Sequence, residues 1–445
     1  MPAERRSDGG LTPAGTAGPG LPPAWLSWVV FGVAGAFYLA GFYLRVSPAV
    51  MTTELMADFS ITASDLGQLS AVFFYTYVLM QIPTGVLVDS WGAKRLLIIG
   101  SVFVAGGTFL FGAAPTFGIA ALGRAILGAG TAVGWVVILK LASHWFPSHR
   151  FAMLTGLGLL IGNIGALVAQ VPLRLLVERF HWRPVAIGSA VVVLGIGVLA
   201  WLFVRNDPVE RGYASHAAKE LQKNEHLSLW QLLRGFKHVF AYRNTWLIFC
   251  AQGGFVGAMI AFTGLWGPAF VKARFALPST SAAAVCSVMT VCWAVASPIV
   301  GHLSDKIGRR KPIYLTGAVI ALAGFSVMFY VTWLPLPLFV VVAGLTSFSC
   351  GAVILGFAFA KESVPVHFLG TISGAINVGN MIGPTLLQPA IGWVLDQRWS
   401  GQMENGLRVY NLSDYQSGLS LMVGWLTLTC ILIAMTKETY CKPQA

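Results

Sequence analysis

The sequence predicts an all-α membrane protein with 12 transmembrane helices in two six-helix pseudo-symmetric halves. Three observations predict it. Only 10% of the 445 residues are charged and 56% are hydrophobic, against roughly 25% charged in soluble proteins, so lipid must cover much of the surface. Apolar runs of about 20 residues, the length that crosses a bilayer as a helix, recur along the whole chain. One eleven-residue pattern stands twice, at the same place in each half.

The elements follow in order. Residues 1–24 are rich in Pro, Gly and Ala and read as a disordered cytoplasmic tail. Arg5 and Arg6 precede no cleavable apolar core, so no signal peptide is expected. The N-terminal half, 25–204, holds apolar spans at 26–52, 67–88, 96–113, 117–141, 152–177 and 184–204. The longest polar stretch, 205–243, is a linker; within it, 227–240 has helical apolar spacing (Leu227, Trp230, Leu233, Phe236) with Arg234 and Lys237 between, the pattern of an amphipathic helix on the membrane surface. The C-terminal half, 244–436, holds spans at 245–271, 280–303, 312–333, 336–360, 367–395 and 416–436, followed by a tail at 437–445.

The net charge of +12 does not read as nucleic-acid binding, because the basic residues sit in short loops between apolar runs. With both termini placed in the cytoplasm, the inner loops hold 18 Lys and Arg and the outer loops 7. That bias fits the positive-inside rule. The other four, Arg45, Arg124, Lys140 and Lys361, fall in spans or at their ends.

The duplicated pattern is Gly85-Val86-Leu87-Val88-Asp89-Ser90-Trp91-Gly92-Ala93-Lys94-Arg95 after the second span and Gly301-His302-Leu303-Ser304-Asp305-Lys306-Ile307-Gly308-Arg309-Arg310-Lys311 after the eighth. The offset is 216 residues and six spans, as expected of parallel repeats in transporters. The aspartate suits a helix N-terminus or a loop cation, and the basic pair suits an anionic leaflet. Asp89, Lys94, Arg95, Asp305, Arg309 and Arg310 are therefore gating candidates, the alternative being a merely tight loop.

These two copies resemble the signature loop motif of the major facilitator superfamily. Gly123-Arg124-Ala125-Ile126-Leu127-Gly128 is similar to that superfamily's R-x-x-x-G pattern in the fourth span. The stretch with Tyr77, Gln81, Pro83, Gly85 and Asp89 resembles the organic anion:cation symporter branch and bacterial relatives of the lysosomal dipeptide transporters. That branch often has an acidic residue just before the arginine of the first span, where this chain has Leu44. The sugar-phosphate antiporters carry His-Asn-x-Gly-Gly in the fifth span, where Ile161-Gly162-Asn163-Ile164-Gly165 stands here. The resemblance implies an alternating-access fold, and for Arg124 a structural or proton-coupling role.

A charge inside a span is costly and usually faces a water-filled cavity. Arg45 lies about two-thirds along the first span, and its guanidinium suits a carboxylate or phosphate; a salt bridge or snorkelling is the alternative. Lys140 and Lys361 end the fourth and tenth spans, either snorkelling or forming a basic funnel; with Arg124 they are the coupling candidates. No Asp or Glu falls deep in a span, which favours uniport or anion exchange, or a proton site at Glu54, Asp58 or a histidine. Tyr43, Tyr75, Gln81, Asn163, Gln170, Trp266, Asn380 and Gln388 join Arg45 as substrate-binding candidates, with Gln170 and Gln388 matching in the repeat at an offset of 218. Helix packing is the alternative for each. Gly156, Gly158, Gly162 and Gly165 in the fifth span, and Gly370, Gly374, Gly379 and Gly383 in the eleventh, suit either sliding or static helix contacts.

The expected function is secondary transport of a small organic anion. The alternatives are a peptide, drug or siderophore carrier, and a transporter-like receptor or assembly protein. No nucleophile–base set, metal spacing or cofactor motif is found, so neither an enzyme nor a cofactor is expected. The expected setting is a monomer in membrane lipid, in a bacterial inner membrane, without nucleic acid.

Overall fold

The structure is a computed structural model that describes residues 20–216, 237–365, 368–404 and 406–442; the amphipathic segment expected at 227–240 lies almost wholly outside the described residues. Helices stand at all twelve expected places. The first span is Ala24–Val46, tightening into a 3-10 turn at Ser47–Val50; the second is Ala63–Trp91, with Pro83 inside it; the third is Ala93–Ala113. The fourth joins Phe117–Thr131 to Val133–Trp145, the fifth joins Phe151–Val168 to Val171–Phe180, and the sixth is Trp182–Phe203. The seventh runs Arg243–Ala261, a π turn Phe262–Trp266 and Gly267–Phe275. The eighth is Ser279–Ile307, the ninth Lys311–Tyr330, the tenth Leu336–Cys350 with Val353–Glu362, the eleventh Leu369–Arg398 and the twelfth Leu412–Ala434.

Ten of these are long and apolar enough to cross a membrane by composition, and the second makes eleven when its two bent parts, Ala63–Gln81 and Pro83–Trp91, are taken as one. The eleventh has ample length at 30 residues, but Asn377, Asn380 and Gln388 dilute its apolarity. Polar side chains are tolerated in a span that faces protein rather than lipid. The described ends, Gly20 and Lys442, lie on one face, here the termini face. On the opposite, far face the sequence reading missed a short helix, Thr52–Phe59, and a two-residue hairpin pairing Met403–Glu404 with Leu407–Arg408.

The repeat is visible in the irregularities. The fourth and tenth spans break at Ala132 and at Gly351–Ala352. Subtracting the repeat offset puts the π turn of the seventh span on the 3-10 turn of the first, and these two turns pack against each other across the halves. Of the flagged glycines, Gly156 and Gly370 face open space, while Gly158, Gly162, Gly165, Gly379 and Gly383 pack inside their own half. A Cβ at Gly165 would meet the Leu39 carbonyl of the first span, and one at Gly383 the Gly253 carbonyl of the seventh. The boundary between the halves uses other glycines. Gly67 of the second span lies against the Gln388–Pro389 backbone, and Gly392 of the eleventh against Ala63. Beside them the Ser64 amide donates to Asp396 (2.8 Å) and the Ala63 amide to the Tyr410 hydroxyl (3.2 Å). These contacts close the far face.

On the termini face each half is strapped by the segment that follows its last span. Asn206 accepts from the Lys94 amide (2.8 Å) at the start of the third span. In the other half Glu438 accepts from the Arg310 and Lys311 amides (both 3.0 Å) at the start of the ninth. Capping exposed amides with a carboxylate stabilises a helix start. Next to Asn206, Asp207 meets His144 at 2.7 Å. Burial works against its charge, but hydrogen bonds from His144, the Val209 amide and Ser215 prevail and hold its carboxyl below the usual range.

The two loop motifs are wired differently. Asp89 pairs with Lys140 at 2.8 Å. Asp305 pairs with Arg310 at 2.6 Å, and Arg310 also binds Glu362 at 2.8 Å. Arg310 and Glu362 are 9% and 11% exposed, whereas Asp305 is 66% exposed. Breaking a buried pair costs about 3 kcal/mol and breaking an exposed one about 0.5 kcal/mol. Glu362→Ala is therefore expected to lower the melting temperature clearly more than Asp305→Ala does. Equal shifts would mean that Glu362 anchors Arg310 no more strongly than the motif aspartate does.

Candidate functional site

Arg45 lies in the last turn of the first α-helix, just before the 3-10 turn, and is 5% exposed. Its guanidinium carbon stands 4.4 Å from the Phe42 ring centre, 4.9 Å from Tyr77 and 5.6 Å from Phe73. Phe42 comes from the same helix, one turn earlier in reverse direction. Phe73 and Tyr77 are spaced i, i+4 on the second span, so both rings leave one face of that helix. Tyr38 and Trp135 pack behind them, with Tyr38 4.9 Å from Phe42 and 5.4 Å from Trp135. Arg45 makes no hydrogen bond or ion pair among the described residues, and its Nε is buried without an acceptor.

Arg124 also lies near Phe73, 5.1 Å from that ring, and is 1% exposed. It donates through Nη1 to the Leu44 carbonyl at 2.8 Å, while Nε and Nη2 have no acceptor. Leu44 also accepts from the Ser47 hydroxyl at 3.0 Å. Both bonds fall where the helix tightens to 3-10 geometry and leaves carbonyls in need of donors. Two guanidiniums thus lie near one phenylalanine ring, and neither has a carboxylate partner among the described residues. Cation–π contact offsets part of the burial, about 0.5–2 kcal/mol per pair, but supplies no counter-charge.

The other sequence candidates divide. Tyr43 turns toward the sixth span and meets the Ser189 hydroxyl at 3.2 Å. Tyr75 leaves the opposite face of its helix from Phe73 and Tyr77, is 41% exposed, and donates to Gln68 at 3.2 Å. Gln81 accepts from Asn377 of the eleventh span at 3.1 Å, joining the halves, and its amide nitrogen is buried without an acceptor. Asn163 is half-buried and bonds back to Leu159 in its own helix. Asn380 is buried with its Oδ1 unpaired.

Gln170 crosses from the fifth span to the π turn, donating to the Thr263 carbonyl at 2.9 Å. Its repeat partner Gln388 reaches the Ile260 carbonyl at 3.4 Å, and the Trp266 indole donates to the Gln388 carbonyl at 3.1 Å. The two glutamine amides thus donate to carbonyls within the π turn and just before it. The structure therefore brings Gln170, Trp266 and Gln388 together as the far-face closure rather than around Arg45. On the termini face, Lys361 ends the tenth span, Arg95 begins the third, and Arg309 sits in the turn between the eighth and ninth, 5.8 Å from the Tyr440 ring. Glu54 is bound to Arg174 at 2.6 Å and Asp58 to Arg183 at 3.1 Å. The sequence reading did not place Phe42, Phe73 and Tyr77 around Arg45; only the i, i+4 spacing of Phe73 and Tyr77 hints at it.

Two six-helix halves meeting over a buried polar centre define a polytopic membrane protein. The chain belongs to the Major Facilitator Superfamily, whose sequence model matches residues 28–387, and it is a secondary transporter. It is similar to the Lysosomal dipeptide transporter MFSD1 of Danio rerio, with 24% identity over 79% of this chain and 77% of that one. It is also similar to the Probable sulfoacetate transporter SauU of Cupriavidus necator, with 24% identity over 89% and 92%. A solved bacterial homolog of the human lysosomal transporter Spinster, inward-facing and unoccupied, shares the fold with TM-score 0.72 at 17% identity, over 94% of this chain and 97% of that one.

Proposed function

We propose that the chain carries a small organic anion, with Arg45 as its charge partner. The observation that supports this is a desolvated guanidinium, walled by three aromatic rings, that has no counter-ion among the described residues. A charge buried in this way is costly unless something pairs with it, and a carboxylate or sulfonate matches the planar fork of arginine. The similarity to a sulfoacetate transporter and to a dipeptide transporter adds support, since sulfoacetate and dipeptides both carry a carboxylate. With the far face closed, substrate would exchange from the termini face, which the 18-to-7 bias of basic residues marks as cytoplasmic. Because Glu54 and Asp58 are held in ion pairs, uniport or anion exchange is the favoured mode.

The test is the melting temperature of the purified protein against small carboxylates, sulfonates, dipeptides, neutral polyols and organic cations. A ligand of the folded state present at about a hundred times its Kd stabilises by roughly 2.7 kcal/mol. Anions are expected to raise the melting temperature by several degrees while polyols and cations leave it unchanged. Stabilisation by neutral or cationic compounds alone would sink the anion reading.

A further inference from the structure

Four hydrogen bonds between described residues cross from one half to the other. Asn377 donates to Gln81, Gln170 to the Thr263 carbonyl, the Ala63 amide to the Tyr410 hydroxyl and the Ser64 amide to Asp396. Only the last has a charged partner. Every ion pair among the described residues stays inside its own half.

Asp396 lies in the last turn of the eleventh span and is 13% exposed. It meets the start of the second span. Thr62 caps that start in a box with Asp65, but among the first-turn amides its hydroxyl accepts only from Asp65, at 3.4 Å. The amides of Ala63 and Ser64 find their acceptors in the other half. A carboxylate on such amides gains from charge-assisted bonding and from the helix dipole. The same carboxylate holds the chain that follows the eleventh span. Tyr410 donates to Oδ1 at 2.6 Å and Arg408 at 3.2 Å, while Ser64 uses Oδ2 at 2.8 Å. Leu407, Arg408, Val409 and Tyr410 border a far-face cavity of about 420 Å³. One group thus joins the second span, the eleventh span and the loop beside that cavity.

The repeat does not reproduce this arrangement. Advancing Ala63 and Ser64 by 216 residues gives Ser279 and Thr280, the first two residues of the eighth span, which follows Pro278 and has no side-chain cap. Stepping back 218 residues from Asp396, the offset between Gln388 and Gln170, gives Glu178. That carboxylate turns instead to Arg174 of its own helix, at 2.9 Å. A carboxylate therefore bridges the halves between the second and eleventh spans and not between the fifth and eighth.

We propose that Asp396 is the latch of the far-face gate, a positioning residue for transport. Its carboxylate, seated on the start of the second span, holds the halves shut there, and its release frees that span and the neighbouring loop together. The latch concerns the closure alone, so it rests neither on the anion reading nor on Arg45.

The test follows far-face labelling of Thr263→Cys by a membrane-impermeant thiol reagent in proteoliposomes, above the labelling of the parent chain. Thr263 is buried behind Gln170 at the closure. Asp396→Ala is expected to speed labelling at least tenfold. Asp396→Asn keeps a neutral acceptor and is expected to speed it at least threefold. Arg408→Gln removes only the ion pair inside the C-terminal half, and Glu178→Gln alters the counterpart; each is expected to change labelling less than twofold. Unchanged labelling in the folded Asp396 variants overturns the proposal. An equal rise with Arg408→Gln would make Asp396 an anchor of its own loop, and an equal rise with Glu178→Gln would mean general loosening of the far face; either also overturns it. Should Asp396→Ala fail to fold, Asp396→Asn decides at its own threshold.

Discussion

Arg45→Ala is expected to lower organic-anion uptake into proteoliposomes by about two to three orders of magnitude and to leave the protein at least as heat-stable as before. Removing one member of a buried charge pair costs about 3–5 kcal/mol, and each 1.4 kcal/mol is tenfold in an equilibrium constant; the loss of substrate binding follows from the first figure. The stability half of the prediction follows from the absence of a protein partner. Arg45 makes no hydrogen bond or ion pair among the described residues, and its Nε is buried without an acceptor, so the empty carrier holds a desolvated charge that alanine removes. Lost contact with Phe42, Phe73 and Tyr77 works the other way, by about 0.5–2 kcal/mol per ring. Arg45→Lys keeps the charge but loses the planar fork and ring stacking, and is expected to fall between, roughly tenfold down. Uptake and a melting scan on the same preparation check both halves. A well-folded Arg45→Ala protein with undiminished anion uptake rules out the proposed role, and a marked drop in melting temperature would show that Arg45 is a structural cation.

Most of the fold was legible in the sequence because lipid imposes one simple requirement on each span, an apolar run of sufficient length. The duplicated motif at Gly85–Arg95 and Gly301–Lys311 then fixed the halves. Arg45 was legible for the same reason, as a charge where charge is costly. What surrounds it was not. Tyr75 and Tyr77 are equally aromatic in the string, and only the rotation of the second helix sends Tyr77 to the guanidinium and Tyr75 to the outside. Gln170 and Gln388 could be matched as a repeat pair, but their task depends on the π turn at Phe262–Trp266, which no local pattern announces. The wiring of Asp305 and Glu362 to Arg310 depends on side-chain reach between three helices. The glycines of the fifth and eleventh spans were visible as close contacts, yet sequence alone does not say which helix they touch. Gly165 and Gly383 face the first and seventh spans of their own halves.

That last distinction carries a prediction of its own. A Cβ at Gly67 would lie 2.6 Å from the Gln388 carbonyl oxygen and 2.8 Å from the Pro389 Cα, a separation real side chains do not tolerate, and the contact joins opposite halves. A side chain there must push the second and eleventh spans apart at the far face. If the two halves move as rigid bodies, the strain is relieved by opening that face rather than by unfolding. Overpacking costs about 1–3 kcal/mol, which shifts a two-state equilibrium by roughly ten- to a hundredfold. Gly67→Leu is therefore expected to speed labelling of Thr263→Cys, now buried behind Gln170 at the closure, by at least tenfold from the far face while the protein remains folded. Gly383→Leu makes an equally severe clash, but inside one half, against Gly253 and Gly257. No rocking motion relieves it, so it is expected to lower the melting temperature by several degrees or prevent folding, without raising far-face labelling in whatever folds. Should both variants destabilise alike and neither expose Thr263→Cys, the Gly67 contact is static packing, and the boundary between the moving bodies lies elsewhere than between the second and eleventh spans.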